Sequence, residues 1–288
     1  MDDAENNSLE SSSNLPDVED LPLETQLRAI LKGTEKIFEF AKQYVMPVVR
    51  DQLNKNEYEK AFSALYFRMF LWFEAITELK DPRHFQVAQS SARSLFELLL
   101  DVKLVIQDPN VVEKVNAFTR VERFRRANRL NTFVNEHPSI DRSQYLAELE
   151  HATDPATIAE IDASREKFWG RSSKGKLISP KHWSGRDVAR LATDAGVEFE
   201  EMYISDYSHQ SWYTHSGLAG IAGLSREGLT KAFAIAHMMS QRSFSQATEA
   251  VATAFRLFDA IPDLRKNMRL ASVETEKAAC EALMESMD

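Results

Sequence analysis

The chain has 288 residues, 43% hydrophobic and 27% charged, with a formal net charge of −9, the balance of a globular protein with enough chain to bury a substantial core. No apolar run approaches the roughly 18 residues a membrane span needs, and the acidic, polar start lacks the basic and apolar regions of a signal peptide. A lone cysteine, Cys280, excludes an internal disulfide and a cysteine-based zinc site, and the expected setting is reducing and cytoplasmic.

Eight acids and no Lys or Arg fall within residues 1–27, so the rest of the chain is nearly neutral. Residues 1–20 are expected to form an acidic, disordered leader, either a solubilising tail or a cover for a basic patch, and residues 21–288 a helical domain. Only nine glycines and nine prolines punctuate the sequence, which favours long helices over strands and turns. Leu27, Ile30, Leu31, Ile37, Phe38, Phe40 and Ala41 mark a first helix, which Pro47 kinks or restarts. A second runs over Tyr58–Leu79, and its "FSALYFRMFLWFEAI" is apolar nearly all round, as a central core helix requires. Asp81-Pro82 opens a third, from about Arg83 to Ile106. A fourth spans about Val111 to Val134.

Two shorter helices separated by Asp154-Pro155 lead to the clearest loop, "GRSSKGKLISPKHWSG". Ser184 is a candidate cap for the next helix, with Gly196 at its close. A further helix is expected over about Val197–Thr214. Ser225 begins a long one reaching about Ala260, and Pro262 separates it from a last helix. The fold class is therefore all-α, a single domain of about nine or ten mostly antiparallel helices, with C-terminal helices over 225–287.

Three places carry candidate chemistry. In "ARSLFELLLD", Arg93 and Glu97 are four apart and share a face in an otherwise apolar segment, as either a salt bridge or a pocket pair. "YISDYSHQSWYTHSG" puts three tyrosines, a tryptophan, two histidines and four serines into residues 203–217. Regular helical spacing aligns Ser208, Ser211 and His215 on one stripe, flanked by Tyr207 and Trp212. An imidazole beside tyrosine and arginine suits general acid–base work on a phosphodiester. The alternative is a buried hydrogen-bonded seam. The third place is basic: "TRVERFRRANRL" supplies Arg120, Arg123 and Arg126 for phosphate contacts, and the loop adds Lys181 with Trp183 as a stacking residue. Neither His-Glu-x-x-His nor a phosphate-loop or dinucleotide fingerprint occurs, so no metal and no cofactor is expected.

Together "ARSLFE", "HWSG" and "Y…DYSHQSWYTHSG" resemble an uncharacterised family of helical proteins, the domain of unknown function 5677, over roughly Phe62 to Gly217. That family is loosely similar to helical HEPN proteins, many of them RNases of bacterial defence and toxin systems, whose signature is an Arg and a His separated by four to six residues. Here Gln210, His209 and Ser208 precede His215 by five to seven residues, so Arg93 would supply the guanidinium from another helix. The expected site is a polar pocket between the third helix and the Tyr203–His215 helix. Its catalytic set is His215, Arg93, Glu97, Tyr207 and Ser211. Its ligand-binding set is Trp183, Tyr203, Ser208, Arg120, Arg123, Arg126 and Lys181. The expected ligand is RNA or a nucleotide, bound and in an enzyme cleaved. The alternative is a non-enzymatic interaction module with a protein partner or a second copy docked through its helices.

Overall fold

A computed structural model describes residues 22–53, 55–108, 111–208, 210, 225–261, 264 and 266. The acidic leader, His209, Ser211, Trp212, His215, Cys280 and all of the last expected helix except residues 264 and 266 lie outside the described residues. The described chain is all-α, as its composition and periodicity predict. Its only β pairing among the described residues is an isolated bridge between Arg171 and Leu177.

Helix α1 (Leu23–Phe40) runs through a π turn at Ala41–Val45 into α2 (Met46–Gln52). Pro47 explains the π turn: it has no N–H to donate, and its ring crowds the preceding turn. The turn widens ahead of it, and the Met46 N–H bonds to Ala41 O. Asn56 caps α3 (Glu57–Thr77) by accepting the Glu59 N–H. Helix α3 buries Phe62, Tyr66, Met69, Phe70, Phe73 and Ile76. It is less uniformly enclosed than its composition implies, because Arg68, Leu71 and Trp72 are exposed on its other side.

Asp81 caps a single 3-10 turn at Pro82–His84, and α4 (Phe85–Gln107) follows. Its most extensive packing is against α10 (Arg226–Ala254), the long helix that Ser225 caps through the Gly228 N–H. Helices α1, α3, α4 and α10 enclose the core. Phe244 is its aromatic centre, stacked on Phe73 with ring centroids 4.2 Å apart and on Tyr66 at 5.7 Å.

Helix α5 (Val111–Glu136) packs with α6 (Leu146–Thr153) and α7 (Pro155–Trp169) as a second group beside that bundle. The loop after α7 returns to α4. Helices α8 (Val188–Ala195) and α9 (Val197–Met202) then lead into a second π turn, Tyr203–Tyr207. Two boundaries differ from expectation. Asp187, not Ser184, caps α8 by accepting the Arg190 N–H, because Ser184 turns its hydroxyl back to His182. Helix α10 ends at Ala254, not near Ala260, because Arg256 takes a left-handed φ of 53° before the short α11 (Leu257–Ala260). Gly196 closes α8 at φ 131°, where a side chain would be strained.

Candidate functional site

On α4, Arg93, Glu97 and Asp101 recur every fourth residue and so form a polar stripe along one face. Beside that stripe the helix buries Leu95, Phe96, Leu98, Leu99, Leu100 and Val102. Two groups converge on one carboxylate oxygen. Arg93 Nε donates to Glu97 Oε1 at 3.0 Å, and the Tyr207 hydroxyl donates to the same oxygen at 2.5 Å. The Arg93 guanidinium also lies over the Tyr207 ring, 5.0 Å from its centroid.

The π turn at Tyr203–Tyr207 supplies that tyrosine. Insertions of this kind recur at functional sites because they re-aim side chains off the regular helical phase. Tyr203 stacks on Tyr207 at 5.3 Å, and Phe96 packs against it at 5.4 Å. Burial, the hydrogen bond to Glu97 and the carboxylate's charge push the Tyr207 phenol well above its ordinary pKa, against the opposing pull of Arg93. Burial works against the Arg93 charge, but the Glu97 hydrogen bond and the potentials of Tyr207 and Glu97 outweigh it and raise its pKa. At pH 7 the cluster is thus a guanidinium and a neutral phenol, both directed at Glu97.

One turn further along α4, Asp101 anchors the loop. Its Oδ1 accepts the Trp183 indole N–H at 2.7 Å and faces His182 Nε2 at 3.0 Å. The other ring nitrogen, Nδ1, lies 2.8 Å from Ser184 Oγ and 3.2 Å from the Ser184 backbone N–H. A backbone N–H can only donate, so Nδ1 is the acceptor and the neutral ring carries its proton on Nε2, towards Asp101. Lys114 of α5 donates to Ser184 O at 3.1 Å. Its pKa is lowered by burial and then by Arg186.

Glu97, Asp101 and His182 line a cleft of about 180 Å³ that Arg68 and Trp72 of α3 wall from the opposite side. Trp72 keeps 37% of its surface exposed. Both Arg93 and Tyr207 bond to Oε1, so Glu97 Oε2 has no hydrogen-bond partner among the described residues.

The remaining expected residues are dispersed. Trp183 is 7% exposed and packed in the core, so its ring is not presented for base stacking as the loop's composition suggested. The reason is its indole N–H, which donates to Asp101 on α4. Ser208 donates to Ile204 O of its own helix at 2.7 Å. Lys181 is exposed. Arg120 is exposed and 3.4 Å from Glu160. Arg123 and Arg126 are exposed and form no ion pair among the described residues. Three-residue spacing makes successive members of this row neighbours on the surface of α5, drifting by about 120° from Arg120 to Arg126. Ser211 and His215 lie outside the described residues.

Sequence reasoning passed over Asp101, His182, Arg68 and Trp72. Asp101 was legible as the next member of the four-residue stripe. His182 adjoins Trp183 in "HWSG". Arg68 and Trp72, also four apart, are polar-capable positions within an apolar helix, but only the packing of α3 beside α4 brings them to the cleft.

Among known proteins, residues 59–228 match the model of a family described as a family of unknown function (DUF5677). That span exceeds half of the chain, which belongs to this family. No curated protein and no solved structure matches.

Proposed function

We propose that this member of the DUF5677 family is a cytoplasmic protein that binds RNA or a nucleotide at the α3–α4 cleft and cleaves a phosphodiester there by general acid–base chemistry. The observation that carries the reading is Glu97. Arg93 and Tyr207 hold one of its oxygens, while the other is unpartnered among the described residues in a cleft walled by an arginine and a partly exposed indole. Trp72 is suited to stack a base, and Arg68 to take a phosphate by paired hydrogen bonds. Glu97 takes the proton of a ribose 2′-hydroxyl as its oxygen attacks the adjacent phosphorus. The departing 5′-oxygen receives a proton in turn, and His215 is the sequence's candidate donor. A volume of about 180 Å³ is below the usual range for a whole small-molecule ligand, and it suits one sugar–phosphate unit with its base on the rim.

A second reading makes the cluster structural in a non-enzymatic interaction module. It is favoured by the way Arg93 Nε and the Tyr207 hydroxyl both donate to Glu97 Oε1, contacts that form without a ligand. Wild type, Glu97→Gln and Arg68→Ala separate the two. The tests are binding and cleavage of a labelled RNA and nucleotide panel, with thermal melting of each protein. A catalytic Glu97 predicts a loss of cleavage of roughly 100-fold or more in Glu97→Gln with binding retained. Arg68 is exposed, so Arg68→Ala weakens binding at an unchanged melting temperature. Neither binding nor cleavage by wild type, with a destabilised Glu97→Gln, makes the cluster architecture.

A further inference from the structure

A larger cavity lies away from this cleft, where the start of α1, the α3–α4 link and the start of α10 meet. Its volume is about 860 Å³, within the range of sites that enclose a small molecule. Leu27, Leu31, Pro82 and Leu229 line it with aliphatic surface. Arg28, Lys80, Arg83 and Arg226 also line it, against only two carboxylates, Glu24 and Asp81. Asp81 is held by Arg83, through Arg83 Nε at 2.8 Å, and Lys80 pairs with Glu35 of α1. Arg226 forms no ion pair among the described residues. With Glu35 counted against Lys80, four cations face three carboxylates, so the cavity joins an aliphatic lining to a single net positive charge, with Arg226 as its exposed guanidinium.

We propose that this cavity binds an aliphatic anion, an acyl or alkyl chain bearing a carboxylate or phosphate head. The chemistry of the lining selects that class. No aromatic ring lines the cavity among the described residues, so a nucleobase would find no stacking partner. Thr230, a polar side chain that could read a base edge, already donates its hydroxyl to Arg226 O at 3.0 Å. An alkyl chain needs no polar partner and gains roughly 0.8 kcal/mol per buried methylene. Its head group meets guanidinium groups whose flat donor pairs match a carboxylate or a phosphate. Arg83 is exposed, with 84% of its side chain open. The lining comes in part from α1, before the family-matched span, and from residues 229–230 beyond it. It is therefore separate from the α3–α4 cleft in both position and chemistry.

Isothermal titration calorimetry on the full chain tests this, with dodecanoate, dodecyl phosphate and uncharged dodecanol below their aggregation concentrations. The expected result is saturable binding of one or both anions, weakened about tenfold or more for dodecanol and by raised salt. Arg226→Glu should weaken the anions by a similar factor at an unchanged melting temperature, since the side chain is exposed. Preference between the two anions identifies the head group. Should Arg226→Glu fold poorly, methyl chemical-shift changes of Leu27, Leu31 and Leu229 in wild type on adding dodecanoate give an independent readout. Absence of binding by both anions overturns the proposal. So does equal binding of dodecanol, equal binding by a folded Arg226→Glu, or shifts that avoid those three leucines.

Discussion

Tyr207 and His237 are both titratable groups in apolar surroundings, and their partners decide their effects. Tyr207→Phe removes the 2.5 Å hydrogen bond to Glu97 and leaves Arg93 as that carboxylate's described donor. Equilibrium urea unfolding should show a loss of about 1–2 kcal/mol. In a cycle with Glu97→Gln the two losses should not add, because both substitutions break one interaction. His237 is fully buried between Thr34, 3.2 Å from its Nδ1, and the ring of Phe233 at 4.6 Å. Burial, and then the charge of Lys80, lower its pKa from 6.5 to about 4. The unfolded imidazole therefore takes up a proton at a higher pH than the folded one. Its neutral burial leaves stability intact above about pH 6.5, and stability falls as the pH drops towards 4, by about 3 kcal/mol in all. Unfolding titrations across that window should show the slope, and His237→Gln should flatten it.

Among the elements, the loop between α7 and α8 depends most on a single contact. Its composition, rich in Gly, Ser, Lys and Pro, reads as an open connection. Asp101 nevertheless holds both His182 and the buried Trp183 against α4. Asp101→Ala strands the indole N–H in the core and should cost about 1–3 kcal/mol. Amide exchange in residues 180–186 should accelerate more than in α4, because the anchor belongs to the loop and α4 has the core to support it. Gly185 sets a second condition for the same loop. Its φ is +81°, and a Cβ there would lie 3.0 Å from Trp169 Cδ1, so Gly185→Ala combines backbone strain with a crowded indole.

At the scale of the whole molecule, stability is concentrated where α3, α4 and α10 meet. Phe244 is fully buried and stacks on Phe73 and Tyr66. Phe244→Ala leaves a cavity that three helices cannot jointly close and should cost about 3–5 kcal/mol in urea unfolding. The same packing places the exposed side of α3 beside the polar stripe of α4, which creates the α3–α4 cleft. Among the described residues no helix is long and apolar enough to cross a membrane, in keeping with the short apolar runs of the sequence.

The sequence by itself determined the all-α class, most helix limits and the shared face of Arg93 and Glu97. Each follows from local rules: a 3.6-residue period, capping residues, and the four-residue spacing that puts two side chains on one face. It also pointed to Tyr207 through the crowding of aromatic and hydroxyl groups. Tertiary structure alone decided that the Tyr207 hydroxyl meets Glu97 across 110 residues, because a π turn shifts its phase in a way that no regular period encodes. It also buried Trp183, whose loop composition suggested exposure, since the acceptor for its indole lies 82 residues away on α4. Arg68 and Trp72 join the cleft for the same reason. Spacing along one helix shows which residues share a face, and only packing shows what that face meets.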